Sequence, residues 1–234
     1  MKNMLVFLGL LPSLSFAQVL ITPATAKFDF QYLKAETSKQ TWYMWKDTSR
    51  MALGEVETII DPAYQKDKLL IITTVKLARA NALWTDSTVA DRRTLNPIYH
   101  SSYNSQRSMR LAYTGKKVSV WHKDNLTGKT TALTDTLKGS CFDSNLYLHM
   151  VRWLPLKAGF RGTIRNYNYA NEQSHGLTTV QVSDVKEVKG INPYYEVTLL
   201  DDDSKSTIVL FVRKSDRKLL KSKMELGGRK MEME

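Results

Sequence analysis

The 234-residue chain has a single cysteine, Cys141. One thiol cannot close a disulfide within a chain or build a thiolate cluster, so both frameworks are excluded. Glycine and proline, 11 and 6 in number, gather into no linker or low-complexity tract, and no unit of roughly 20–50 residues repeats. The four histidines, His100, His122, His149 and His175, are dispersed. None forms an H-E-x-x-H motif or an i, i+4 histidine pair, so a zinc-hydrolase helix is absent. There is no Walker loop, dinucleotide fingerprint or G-x-S-x-G elbow. Gly139-Ser140-Cys141 reads as a loop. No apolar run approaches the roughly 20 residues that span a bilayer.

What is present is the profile of a folded globular protein, 42% hydrophobic and 24% charged. The N-terminus resembles an export leader. Met1-Lys2-Asn3 carries one positive charge, Met4–Leu11 is apolar, and Ser15-Phe16-Ala17 places small residues where signal peptidase needs them. Cleavage is expected after Ala17, with Gln18 as the new first residue. No cysteine follows the apolar run, so no lipid anchor is expected. The remaining 18–234 are expected to form one domain.

Lys and Arg number 34 against 23 Asp and Glu, for a net charge of +11. Loss of Lys2 with the leader lowers it by one. The basic residues are scattered, and the tightest groups, Arg92-Arg93, Lys116-Lys117 and Lys221/Lys223, fall in turns or on strand faces. No nucleic-acid-binding motif accompanies them, so nucleic acid is not an expected partner. An anionic membrane surface is a possible weak partner.

Most of the chain has a period of two, the signature of strands. In Lys68–Leu77, Leu69, Ile71, Thr73, Val75 and Leu77 share one face. Met109, Leu111 and Tyr113 alternate with Ser108, Arg110 and Ala112, and Val118, Val120 and His122 with Ser119, Trp121 and Lys123, with a turn at Gly115-Lys116. Thr127-Gly128-Lys129, Asp201-Asp202-Asp203 and Ser215-Asp216-Arg217 mark further turns. Leu220, Met224 and Leu226 alternate with Lys221, Lys223 and Glu225. Short loops between such strands imply a largely antiparallel sheet. Gly227–Glu234 alternates charge and is expected to fray.

One segment breaks the period. Asp143-Ser144 can cap a helix, Leu146, Met150 and Trp153 recur at helical spacing, and Pro155 stops it. The spacing predicts a helix over Asp143–Leu154. The expected fold is therefore mainly β (α+β), a strongly curved antiparallel sheet forming a half-barrel around one amphipathic helix. Such an arrangement can leave an apolar hollow, with Leu146, Met150, Trp153, Trp84 and Val120 as candidate ligand-lining residues. The same aromatics and methionines also suit ordinary core packing.

The candidates for chemistry are few. His149 reads as a core-edge or solvent-facing histidine. Cys141 lacks an identified activating partner and reads as a small semi-buried residue. Asp201-Asp202-Asp203 lacks the alternation of a calcium loop, and Asn125-Leu126-Thr127 is a sequon that matters only in a eukaryotic secretory route. No catalytic, metal or cofactor residue is assigned.

Three stretches carry a resemblance. Cys141-Phe142-Asp143-Ser144-Asn145-Leu146 with Trp153-Leu154-Pro155-Leu156-Lys157-Ala158-Gly159, the region from Trp84-Thr85-Asp86-Ser87 to Thr94-Leu95-Asn96-Pro97-Ile98, and Leu210–Lys221 are together similar to an exported bacterial family, domain of unknown function 3108. Phe211 stands where a tryptophan is common in that family. The resemblance spans roughly residues 50–226. It implies a half-barrel akin to periplasmic lipoprotein carriers, and no catalytic residue. The expected function is thus that of an exported, periplasmic, non-enzymatic envelope protein binding a lipid or lipoprotein acyl chain. The alternative is a structural or interaction module that docks on an envelope protein.

Overall fold

A computed structural model describes residues 19–78 and 82–234; the expected leader lies outside them. The described residues form one large sheet whose strands are β1 (Val19–Ile21), β2 (Glu36–Lys46), β3 (Ser49–Tyr64), β4 (Lys68–Leu77), β5 (Leu83–Asp91), β6 (Pro97–Tyr103), β7 (Arg107–Thr114), β8 (Lys117–Asp124), β9 (Thr130–Thr136), β10 (Phe142–Asp143), β11 (Gly162–Asn171), β12 (Ser174–Val188), β13 (Tyr194–Asp201), β14 (Ser206–Arg213), β15 (Leu219–Leu226) and β16 (Arg229–Met233).

Two meanders meet in this sheet. β2 to β9 pair in sequence, as do β11 to β16, and β16 then pairs with β2. All these ladders are antiparallel. β1 and β10 join β11 in parallel, which makes the sheet mixed. It is not closed by hydrogen bonds. The Lys68–Leu77 strand, the hairpin at Gly115-Lys116 and the three other expected turns all stand where the sequence places them.

The C-terminal tail departs from expectation. Residues 229–233 are a paired strand, not a frayed end. Gly227 and Gly228 have φ of 54° and 76°, so both central positions of the two-residue turn are left-handed, which glycine tolerates best. The alternating charge that suggests fraying is instead paired across the sheet: Glu232 is buried between Arg50 and Lys221, each 2.8 Å away. A bulge where Val212 pairs with Leu219 also shifts the expected alternation. Leu219 turns inward, whereas Leu220 and Leu226 are exposed.

The helix is much shorter than its spacing implies. Only α1 (Tyr147–Met150) is α-helical, followed by a 3₁₀ turn at Val151–Trp153. Phe142-Asp143 is drawn into the ladder against Asn166-Tyr167, so Asp143 does not cap a helix. Pro155 closes the other end, leaving room for two tight turns. These turns nonetheless bury Leu146, Met150, Val151, Trp153 and Leu154. Ile60, Leu69, Ile71 and Ala90 from one meander and Ile164, Val182, Leu199 and Leu210 from the other join them in one core cluster. A second, smaller cluster joins Met109, Leu111, Val118 and Val120 to Cys141 and Tyr167.

A candidate ligand site between sheet and helix

Side chains on one face of seven neighbouring strands line a hollow. The ladders fix which ones. Ile208 pairs with Met224 and that with Met231; Leu210 pairs with Ser222, that with Met233, and that with Trp42. The next row joins Gln40, Val56, Val75 and Trp84, and the row after it joins Ser38, Thr58 and Thr73. Leu148, His149, Arg152 and Asn145 of the helical segment complete the wall. The cavity among these side chains has a volume of about 200 Å³, smaller than the roughly 300–1,000 Å³ of a typical ligand pocket.

Trp42 stands opposite Gly54 in this wall, at a bulge. A Cβ on Gly54 would collide with the carbonyl oxygen of Lys76, so glycine is the residue that lets the β3 and β4 backbones approach beside the indole.

The hollow has two characters along its length. Trp42, Met224, Met231 and Met233 make one part mainly apolar, with Gln40, Ser222 and the ion-paired Glu232 among them. The part beside the helical segment carries hydrogen-bonding groups: the Ser38–Thr58–Thr73 row, Asn145, His149 and an Arg152–Glu36 pair. The Arg152 Nη1 lies 3.1 Å from one Glu36 oxygen and 3.3 Å from the other. Arg152 is buried, so its charge is tolerated because Glu36 neutralises it. Burial, with Arg152 nearby, pushes the His149 imidazole down to about 3, and it is neutral near neutral pH. Its ring makes no hydrogen bond to another described residue, and the buried Thr73 hydroxyl likewise has no partner among the described residues.

A second polar centre holds the entry to the helical segment. The buried Asp143 carboxylate accepts from Tyr113 OH at 2.7 Å, Thr88 Oγ1 at 3.0 Å and the Asn145 N–H at 3.0 Å, and lies 3.1 Å from His100 Nδ1. Burial alone would push this carboxyl up; His100, Tyr113 and Asn145 together hold it below its ordinary value. Cys141 is buried beside this centre. Burial first, then Asp143, pushes its thiol up to about 12, so no thiolate nucleophile forms near neutral pH.

Of the five candidate lining residues, only Trp84 faces the hollow. Leu146, Met150 and Trp153 are fully packed into the main core, because the apolar stripe of so short a helix is consumed by the sheet beneath it. Val120 belongs to the second cluster. The helical residues that do reach the hollow, Leu148, His149 and Arg152, lie off that stripe. Their signal in the sequence is a polar flank beside an apolar run. The methionines of β15 and β16 become visible only once β16 is paired with β2.

A family described as "Protein of unknown function (DUF3108)" matches residues 39–234. No curated protein and no solved structure matches the chain.

Proposed function

The chain belongs to the DUF3108 family, and we propose that it is an exported, non-enzymatic envelope protein that holds a lipid or lipoprotein acyl chain in the hollow. On this reading the sheet acts as a half-barrel about the short helical segment, and the hollow between them is the ligand site. The observation that carries it is the hollow's wall, where Trp42, Trp84, Met224, Met231 and Met233 present large soft side chains to an open cavity. Water gains little from such a surface, and an apolar chain would release it. Methionine adapts to irregular apolar partners, which suits a chain without fixed shape. The leader-like pattern of residues 1–17, a basic start, an apolar run and small residues three apart, supports a periplasmic location.

The test is native mass spectrometry and organic extraction of the mature protein purified from its own envelope. A co-purifying lipid or acylated peptide, displaced by Met224→Trp, is the expected result. A ligand-free protein that takes up no acyl probe would reject the proposal.

The second reading is an interaction module. β9 lies at the end of the sheet path, with β8 its one hydrogen-bonded strand partner among the described residues, and it could accept a partner strand. Crosslinking in envelope fractions would favour it if one stoichiometric partner were recovered through Thr130–Thr136.

A further inference from the structure

Four observations about the hollow bear on the kind of molecule it takes. The Ser38–Thr58–Thr73 row places three hydroxyl-bearing side chains side by side on neighbouring strands, an uncharged polar band in a wall whose charged groups, Glu36, Arg152 and Glu232, are each already in an ion pair. The His149 imidazole lines the same cavity with no hydrogen-bond partner among the described residues. The buried cation in the wall, Arg152, is already occupied by both oxygens of Glu36. Met224, Met231, Met233 and Trp42 continue the cavity as an apolar surface.

We infer that the hollow selects a non-ionic amphiphile, an apolar chain bearing a hydroxyl, ester or amide group, and discriminates against the free fatty acid and the alkylammonium of equal length. This rests on the proposed ligand-binding reading and specifies its substrate class.

The physical argument is a comparison of what each head group would meet. A carboxylate entering the polar end would lose its water and find Arg152 already neutralised, so it would compete with Glu36 for one guanidinium and leave one anion short of a partner. An ammonium would meet Glu36 under the same constraint, with Arg152 repelling it. An isolated ion in such a place is strongly disfavoured. A hydroxyl or carboxamide meets neutral donors and acceptors, His149, Asn145 and the hydroxyl row, and loses little. Sites that hydrogen-bond a neutral group reject analogues whose groups they cannot pair. The apolar chain then runs along the methionine-rich part. Selectivity arises at the polar end and affinity along the chain.

The experiment compares lauryl alcohol, laurate and laurylammonium on the full mature protein, with Trp42 and Trp84 fluorescence and calorimetry as readouts. Lauryl alcohol is expected to bind at least about tenfold more tightly than either ion, a difference of about 1.4 kcal/mol. His149→Phe keeps an aromatic ring but cannot hydrogen-bond a ligand, and is expected to weaken lauryl alcohol severalfold while changing laurate little. Glu36→Gln frees the Arg152 charge and is expected to reverse the order in favour of laurate. Laurate binding as tightly as the alcohol to the unaltered protein, or an order unmoved by Glu36→Gln in a folded variant, overturns the inference while leaving acyl binding intact. Binding of none of the three overturns the ligand reading and this inference together.

Discussion

His100 Nδ1 lies 3.1 Å from Asp143 Oδ1, and both side chains are buried where the chain leaves the sheet for its short helical segment. Removing one member of a buried ion pair strands the other, at a cost of about 3–5 kcal/mol. Asp143→Ala is therefore expected to lower the unfolding free energy by about that amount in urea titration. The pH dependence has two limbs. Burial pulls His100 down, but Asp143 raises it above its ordinary 6.5, so its contribution is present below 6.5 and lost as pH rises through the higher folded value. Asp143 is held below its ordinary 3.8, so its contribution is present above 3.8 and lost as pH falls through the lower folded value. The pair stabilises most between these two ordinary values, and His100→Gln should flatten the alkaline limb.

His149 acts in the opposite sense. Its folded value of about 3 lies below the ordinary 6.5, so between these two values the unfolded chain takes up a proton that the folded one refuses. Stability contributed by this site falls on acidification, by an amount on the order of a few kcal/mol. His149→Phe should be less acid-sensitive than the parent. Urea midpoints at about pH 6.5 and about pH 4 measure this directly. An equal acid loss in both proteins would contradict it.

Core and cavity wall separate experimentally. Leu146→Ala and Met150→Ala are expected to cost about 2–5 kcal/mol of stability each, yet leave the affinity for lauryl alcohol within a factor of two or three of the parent. Met224→Trp should do the reverse, keeping stability within about 1.5 kcal/mol and abolishing uptake. Denaturation and fluorescence titration on the same samples distinguish the two outcomes.

The C-terminal strand is expected to be indispensable. Truncation before Arg229 removes the ladder between β15 and β2 and unpairs Arg50 and Lys221 from Glu232. Gly228→Val, at φ of 76°, places a branched residue in a left-handed conformation and should cost about 1–3 kcal/mol. The truncated protein should lose cooperative unfolding by circular dichroism; retention of the parent midpoint would show β16 to be dispensable.

The strands of this protein were largely legible because their alternation is regular: Leu69 and Ile71, or Met109 and Leu111, declare their face by spacing alone. The helix was over-read because Leu146, Met150 and Trp153 satisfy a helical period whether they form three turns or a single α-turn followed by 3₁₀. Spacing alone does not reveal that Phe142-Asp143 will pair with β11. The same ambiguity hides the cavity wall, since residues on an apolar stripe pack the core and those beside it face the cavity. The cavity itself depends on pairing between strands far apart in the chain. Met233 opposite Trp42 is a tertiary fact with no local trace.

That distant pairing also sets the pace of assembly. Arg50 and Glu232 are 182 positions apart, and the β16–β2 ladder beside them is the hydrogen-bonded link between the two meanders among the described residues. Contacts of such sequence separation form slowly, because a long loop must close before the contact rewards it. Local hairpins such as the one at Gly115-Lys116 are therefore expected to form early, and the seam between the meanders late.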